Sequence, residues 1–412
     1  MRNSPPQSAV PLGYCFSAAS CGLKKKGKLD LGMISSGSPA SAAAVFTTNL
    51  VQAAPLVLSR EHLRISRGTM RGVVVNSGNA NCSTGPDGLR ASRRTAAHAA
   101  REIGSLTEEI FVCSTGVIGV PLRVEKILRA LPELAAAQRA SASSFAAFTR
   151  AILTTDTRPK WAAARCRIGA RNVRLLGCAK GAGMIHPQMA PPAALKTATM
   201  LAFVVTDAAI APRLLQKLLA GIADRTFNAI TVDGDTSTND TLLAMANGAS
   251  GCRGINAASR DLRRFSAALE EVCGSLALQI VADGEGAKLV VEIEVRGGRS
   301  EPGALQVART IATSSLVKTA LAGGDPNWGR ILAAAGRAGV PFDPERVDIA
   351  MAGIPVYRRG RALPFDERAA HKKLLAKRIT IGMDLRQGRA LARYWTCDFT
   401  GDYVRINASY RT

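Results

Sequence analysis

The sequence predicts a mixed α/β protein built from two or three domains or lobes. Three observations carry this. The chain has 412 residues, 47% of them hydrophobic, so at roughly 100–200 residues per domain it can bury more than one core. Short wholly apolar runs such as Leu201–Val205 read as buried strands. Helix-length amphipathic stretches separate such runs, and regular strand–helix–strand units are few, which suits α/β or α+β architecture.

Taken in order, residues 1–29 are polar and basic. From 40 to 80, the β-like runs AAAVFTTN, APLVLS and RGVVVNSGN alternate with turns. A helix is predicted over 88–104, with an apolar and an arginine face. The buried strand Ile110–Cys113 leads into Ser114-Thr115-Gly116. Helices follow over 122–139 and 143–153, then strand and loop over 154–199, rich in Gly, Pro and Arg. Leu201–Asp207 is the next buried strand, followed by a helix near 209–224 and a strand and turn in NAITVDGDTSTND. A long helix over 258–280 leads into VADGEGAKLVVEIEV, which reads as a strand pair around a glycine turn. The last third alternates helix and strand.

Composition excludes several function classes. Nine cysteines, none in C-x-x-C spacing, give neither a disulfide scaffold nor a zinc or redox motif. Four histidines form no metal-ligand pattern. No sustained apolar segment opens the chain and no stretch approaches 18 apolar residues, so the expected compartment is the cytoplasm, with no membrane partner. The 54 Lys+Arg against 31 Asp+Glu give a net charge of +23. Nucleic-acid binders interleave aromatics for stacking or show a recognisable module. Here aromatics make up 5% and the arginines are dispersed, so no nucleic-acid partner is expected, and the charge suits carboxylate substrates.

Two motifs need weighing. Gly22-Leu23-Lys24-Lys25-Lys26-Gly27-Lys28-Leu29 approaches a phosphate-binding loop, but Leu29 stands where a hydroxyl must reach Mg²⁺ and no apolar strand precedes it. It reads as a solvated basic loop. In CAKGAGMIHPQMAPPAALKTATMLAFVV, a Gly-rich loop is followed by Ala198-Thr199 and a buried strand. A hydroxyl at a strand entry is commonly a turn residue. The alternative is a nucleophile made by self-cleavage: a cut before Thr199 frees an α-amine with pKa about 7.7–8.0, able to act as base for its own Oγ.

The segment KGAGMIHP…ATMLAF resembles the autoprocessing region of the ornithine acetyltransferase / glutamate N-acetyltransferase (ArgJ) family. GLKKKGKLDLGMI, VFTTN, QAAP, VNSGNAN, STGVIG, TTDTRPK, FNAITVDGDTSTND, GEGA, LVKTALAGGDPNWGRI and the terminal YVRINASYRT resemble family segments too, in order along the chain. The resemblance implies a two-lobed fold of the self-processing N-terminal-nucleophile type, with the active site between the lobes. It implies cleavage between Ala198 and Thr199 into an α chain (1–198) and a β chain (199–412), assembled as two α and two β. Thr199 would carry acetyl from N-acetylornithine to glutamate, with Thr115 and Gly116 as the oxyanion hole. Thr154, Lys180, Thr199, Glu285, Asn407 and Thr412 would contact substrate. No metal or bound organic cofactor is implied. Acetyl-CoA, used by some members, is a candidate co-substrate.

One departure touches the nucleophile. In the family pattern, Pro-x-Met-Ala runs directly into Thr-Met-Leu. Here Pro191–Ala198 intervene between Ala190 and Thr199. Thr197 and Thr199 are both candidates, and Thr199 is preferred because Ala198-Thr199-Met200-Leu201 restores the pattern beside the buried strand. A longer loop lowers effective concentration for attack on the preceding carbonyl, so slow maturation is expected, with an uncut noncatalytic relative as the alternative. An amidase or aminopeptidase of like architecture is the other. Lys288-Leu289 after GEGA, and Gln188, also depart from common family residues.

Overall fold

A computed structural model describes residues 4–25, 27–192 and 200–409. They divide into two units. One comprises the chain up to Asn228 with Asp235–Ile280; the other comprises Ala229–Gly234 with the chain from Val281 onward.

The first unit is built on an eight-stranded sheet: β1 Tyr14–Ala19, β2 Leu31–Phe46, β3 Thr69–Asn79, β4 Ile110–Val117, β5 Lys160–Ile168, β6 Arg171–Lys180, β7 Leu201–Thr206 and β8 Thr241–Ala246. The order is β4-β3-β2-β8-β7-β6-β5, with β1 also paired to β2. Only the β3–β4 and β7–β8 pairs are parallel. Every residue of β7 and β8 is buried, which explains why β7 is readable as an unbroken apolar run. On one face, Leu31, Met33, Val74 and Val112 pack with Ala96, Ala100, Ile127 and Leu131 from the helices Gly85–Ile103 and Val124–Ala136. The other core gathers Phe16, Phe46, Phe111, Phe148 and Phe203.

The sheet edge at β4 is covered by the helix Ala54–Ile65. Ser59 Oγ donates to Val112 O at 2.9 Å and accepts from Val112 N at 2.8 Å. His62 Nδ1 lies 2.8 Å from Ile110 O. The edge groups of β4 thus gain partners instead of an open template. This helix corrects the β reading of APLVLS. Pro55 sits in its first turn, where a missing N–H costs nothing, and Leu56, Ser59 and Leu63 share one buried face at helical spacing.

The second unit carries a six-stranded sheet: β9 Val290–Gly298, β10 Asp348–Met351, β11 Ile354–Arg358, β12 Arg361–Ala362, β13 Arg378–Asp384 and β14 Ala390–Cys397, in the order β12-β11-β10-β13-β9-β14. Along β9, Val291, Ile293 and Val295 point into a core with Val307 and Ile311 of the helix Glu301–Ala312. Glu292 and Glu294 alternate onto the other face, beside Arg378 and Arg393.

Two further readings change. NAITVDGDTSTND holds a short 3-10 turn at Phe227–Ala229 and a single bridge, Ile230 with Trp395, rather than a strand. VADGEGAKLVVEIEV contributes one strand, β9, because the preceding helix runs on to Val281. Tyr14–Ala19 forms β1 within a segment whose composition reads only as basic. The junction of residues 198 and 199 lies outside the described residues. In chain order it falls between β6 and β7.

Candidate active site

Ser114-Thr115-Gly116 ends β4, where the sheet is locked from both sides. Ser114 Oγ donates to Asn76 Oδ1 at 2.6 Å. Asn239 Nδ2 donates to the carbonyls of Ser114 (2.7 Å) and Ala80 (2.8 Å). The β3–β4 register then breaks, so that Asn79 faces both Thr115 and Val117. A bulge of this kind re-aims side chains. Gly116 has φ +133°, and a Cβ there would lie 2.4 Å from the carbonyl carbon of Gly78. Only glycine permits this backbone crossing.

Lys180 ends β6 and is 4% exposed. Its Nζ donates to Thr115 Oγ1 at 3.1 Å. Two of the expected site residues are therefore in contact, from strands far apart in sequence. Lys180 is in register with Leu201 of β7. Met200 is fixed beside it: Met200 O accepts from Thr241 N at 2.7 Å, and a Cβ on Gly181 would be 3.5 Å from Met200 Cβ. The residue that follows Thr199 in sequence is thus held against the Lys180–Gly181 end of β6.

A carboxylate not singled out from sequence organises this end. The side chain of Asp156 is wholly buried and accepts from Lys160 Nζ (2.6 Å), Gly181 N (2.6 Å) and Thr154 N (3.0 Å). Burial alone would raise its pKa. Lys160 and Lys180, with the Gly181 amide, overcome that and hold the carboxyl at about 2. One side chain so joins Thr154, another expected substrate residue, to the Lys180–Gly181 segment. The signal in the sequence is the Asp156–Lys160 spacing within TTDTRPK, which by itself matches an ordinary surface pair.

The loop Gly22–Leu29 is also more ordered than a solvated basic loop. Asp30 accepts from the amides of Cys21, Leu23 and Lys24 at 2.6–2.9 Å, so the nest that could hold a phosphate is filled by the chain's own carboxylate. Lys25 and Lys28 are exposed. Lys24 turns inward and donates to Leu153 O at 2.6 Å. Burial, helped by Lys180 and opposed by Asp30, lowers its pKa to about 8.

The approach to the inserted segment is anchored as well. Phe46 and Ala190 exchange backbone hydrogen bonds at 3.0 Å, and Asn228 pairs with both backbone groups of Met189 at 2.7 and 2.8 Å. Pro191 follows and has no N–H to continue that pairing. Ala198, Thr199, Thr197 and Thr412 lie outside the described residues.

In the second unit, Glu285 is 7% exposed and accepts from Asn407 Nδ2 at 2.8 Å. Gly286 turns with φ +72°, and a Cβ there would meet Tyr403 N at 2.6 Å. Thr400 Oγ1 donates to Gly286 O at 2.8 Å. The GEGA turn thus fits against the start of the helix Gly401–Ser409 that carries Asn407. Among the described residues no group of three or more His, Cys, Asp or Glu side chains could hold a metal ion.

The first unit thus brings a hydroxyl (Thr115), a glycine amide (Gly116) and a buried ammonium (Lys180) to the end of β6 that pairs with β7, groups that can stabilise negative charge on an acyl oxygen. The ArgJ family description matches residues 15–412, and the chain belongs to the ArgJ family. The "Arginine biosynthesis bifunctional protein ArgJ" of Geobacter sulfurreducens is 46% identical over 97% of this chain and 99% of its own. A crystal structure of the protein of that name from Bacillus halodurans is 44% identical, covers 52% of this chain and 100% of its own, and superposes with a TM-score of 0.51. The ornithine acetyltransferase of Mycobacterium tuberculosis, complexed with ornithine, is 31% identical over 46% of this chain and 98% of its own, with a TM-score of 0.40.

Proposed function

We propose that this chain is the acetyltransferase of arginine biosynthesis that moves acetyl from N-acetylornithine to glutamate, through an acetyl-Thr enzyme formed after self-cleavage before Thr199. Family membership supports the acetyl transfer. The observation that carries the site is the contact of Lys180 with Thr115, beside the anchored Met200.

In the reaction, the freed α-amine of Thr199 takes the Oγ proton as Oγ attacks the acetyl carbonyl. Thr115 Oγ–H and the Gly116 amide stabilise the oxyanion. The proton passes to the amine of departing ornithine as the C–N bond breaks, leaving the acetyl ester on Oγ. The amine of glutamate then attacks that ester, and N-acetylglutamate leaves as Thr199 recovers its proton. Lys180 and Thr154 are assigned to the substrate carboxylate. Glu285, oriented by Asn407, is assigned to the ammonium, and Thr412 completes the contacts.

The cut itself has separate support. The Bacillus halodurans chain is matched over its whole length by 52% of this one, the proportion that residues 199–412 represent. Assembly as two α and two β chains, action in the cytoplasm, and acetyl-CoA as a second donor without any bound metal or organic cofactor complete the proposal. No described helix is long and apolar enough to cross a membrane.

The test is intact mass and N-terminal sequencing of the purified protein, followed by peptide mass after incubation with N-acetylornithine. Two chains, the second starting at Thr199 and gaining one acetyl on that residue, are expected. A single uncut chain overturns the two-chain mechanism, and a start at Thr197 moves the nucleophile. Release of acetate with no N-acetylglutamate would make the protein an amidase.

A further inference from the structure

We propose that Lys180 serves the oxyanion site through Thr115, as a positioning residue that polarises the Thr115 hydroxyl, in addition to meeting a substrate carboxylate. The inference rests on the acetyl-transfer reading above.

An ammonium group has three donors and no acceptor. In the 3.1 Å contact, Thr115 Oγ1 must therefore be the acceptor. Its own hydrogen is then left to be donated elsewhere, and among the described residues no group takes it. A hydroxyl that accepts from a cation becomes a stronger donor, because charge-assisted bonds polarise the next bond in the chain. The hydroxyl adjoins Gly116, whose close crossing over Gly78 fixes the backbone. Both donors expected at the oxyanion thus come from one locked turn, and one of them is backed by a buried cation.

Lys180 is held for this role. Leu201 pairs with it on one side. The amide of the next residue, Gly181, is tied at 2.6 Å to Asp156, which is itself paired with buried Lys160. At 4% exposure the ammonium is little screened by water. A lysine that only captured a carboxylate would need none of this contact with Thr115.

The two roles separate kinetically. The mature enzyme is made with Thr115, Thr115→Ser and Thr115→Val, each with and without Lys180→Met; Lys180→Arg retains the charge as a further variant. The rate of acetyl-enzyme formation from N-acetylornithine is measured together with KM and normalised to the fraction bearing N-terminal Thr199. Lys180→Met is expected to slow acetylation about tenfold or more in the Thr115 and Thr115→Ser backgrounds, yet less than about twofold once Thr115→Val has removed the hydroxyl. Lys180→Arg should recover part of the loss. The inference is overturned if Lys180→Met changes KM alone, or slows acetylation by the same factor with and without the hydroxyl. A wild-type protein that forms no acetyl-enzyme overturns the acetyl-transfer reading itself, and this inference with it.

Discussion

Asp156→Asn is the substitution whose energetics the structure defines most fully. The carboxylate has three donors within 3.0 Å, and Lys160 beside it has no exposed side-chain surface. The shift from an ordinary 3.8 to about 2 corresponds to about 2–3 kcal/mol of net stabilisation of the charged form, at roughly 1.4 kcal/mol per unit. The amide costs more than that, because it removes the carboxylate that faces Lys160 in a dry site, and breaking one partner of a buried pair costs about 3–5 kcal/mol. It also turns an NH₂ group toward a backbone donor. Removing both charges with Asp156→Asn/Lys160→Met should recover part of the loss, because buried Lys180 still loses the counter-charge of Asp156. Urea unfolding of the wild type, Asp156→Asn, Lys160→Met and the double variant at pH 7 measures this. A loss below about 1 kcal/mol for Asp156→Asn, or a double variant less stable than the single one, would refute the reasoning that this pair is a true buried ion pair.

Three further outcomes are expected. Asp156 has a folded pKa below its unfolded value, so its stabilisation is complete above about pH 4 and is lost as the pH falls through about 2; acid titration followed by circular dichroism should show a steeper loss across that window in the wild type than in Asp156→Asn. Gly116→Ala forces a Cβ within 2.4 Å of the Gly78 backbone at a φ that side chains avoid, and should lower acetyl transfer by about 10²–10³-fold; near-normal turnover would remove Gly116 from the oxyanion site. Deleting Pro191–Ala198 joins Ala190 to Thr199 as in the family pattern, and should speed self-cleavage, read by intact mass over a time course; slower cutting would show that the inserted segment assists maturation.

How far the sequence could be read differs between strands, helices and the site. Leu201–Thr206 is legible because both its faces are buried, so its apolar run owes nothing to a particular partner. APLVLS misleads because Val and Leu suit either element over six residues; the helical face emerges only when Ser59, His62 and Leu63 are seen meeting β4 and the core. Thr115, Gly116, Thr154 and Lys180 were reachable through motif resemblance, and the structure brings Thr115 against Lys180 and ties Thr154 to the Lys180–Gly181 segment through Asp156. Asp156 and Lys160 themselves could not be picked out. An Asp and a Lys four apart describe a solvated pair as well as a buried one, and their burial is created by β6, some twenty residues further on. Lys24 is similar: one lysine of a basic run turns inward because the carbonyl of Leu153 awaits it.

The placement of β7 and β8 between β2 and β6 has a consequence for the two products that the proposed cut before Thr199 would make. All the strands on either side of that central pair precede residue 198, whereas the pair itself follows residue 199. The products of that cut would therefore be interleaved like the fingers of two hands. Neither can leave without opening the β2–β8 and β6–β7 ladders together and exposing the unpaired edges of β2 and β6. On that reading the uncut chain would be the scaffold on which both polypeptides are woven, and separating the halves would amount to unfolding.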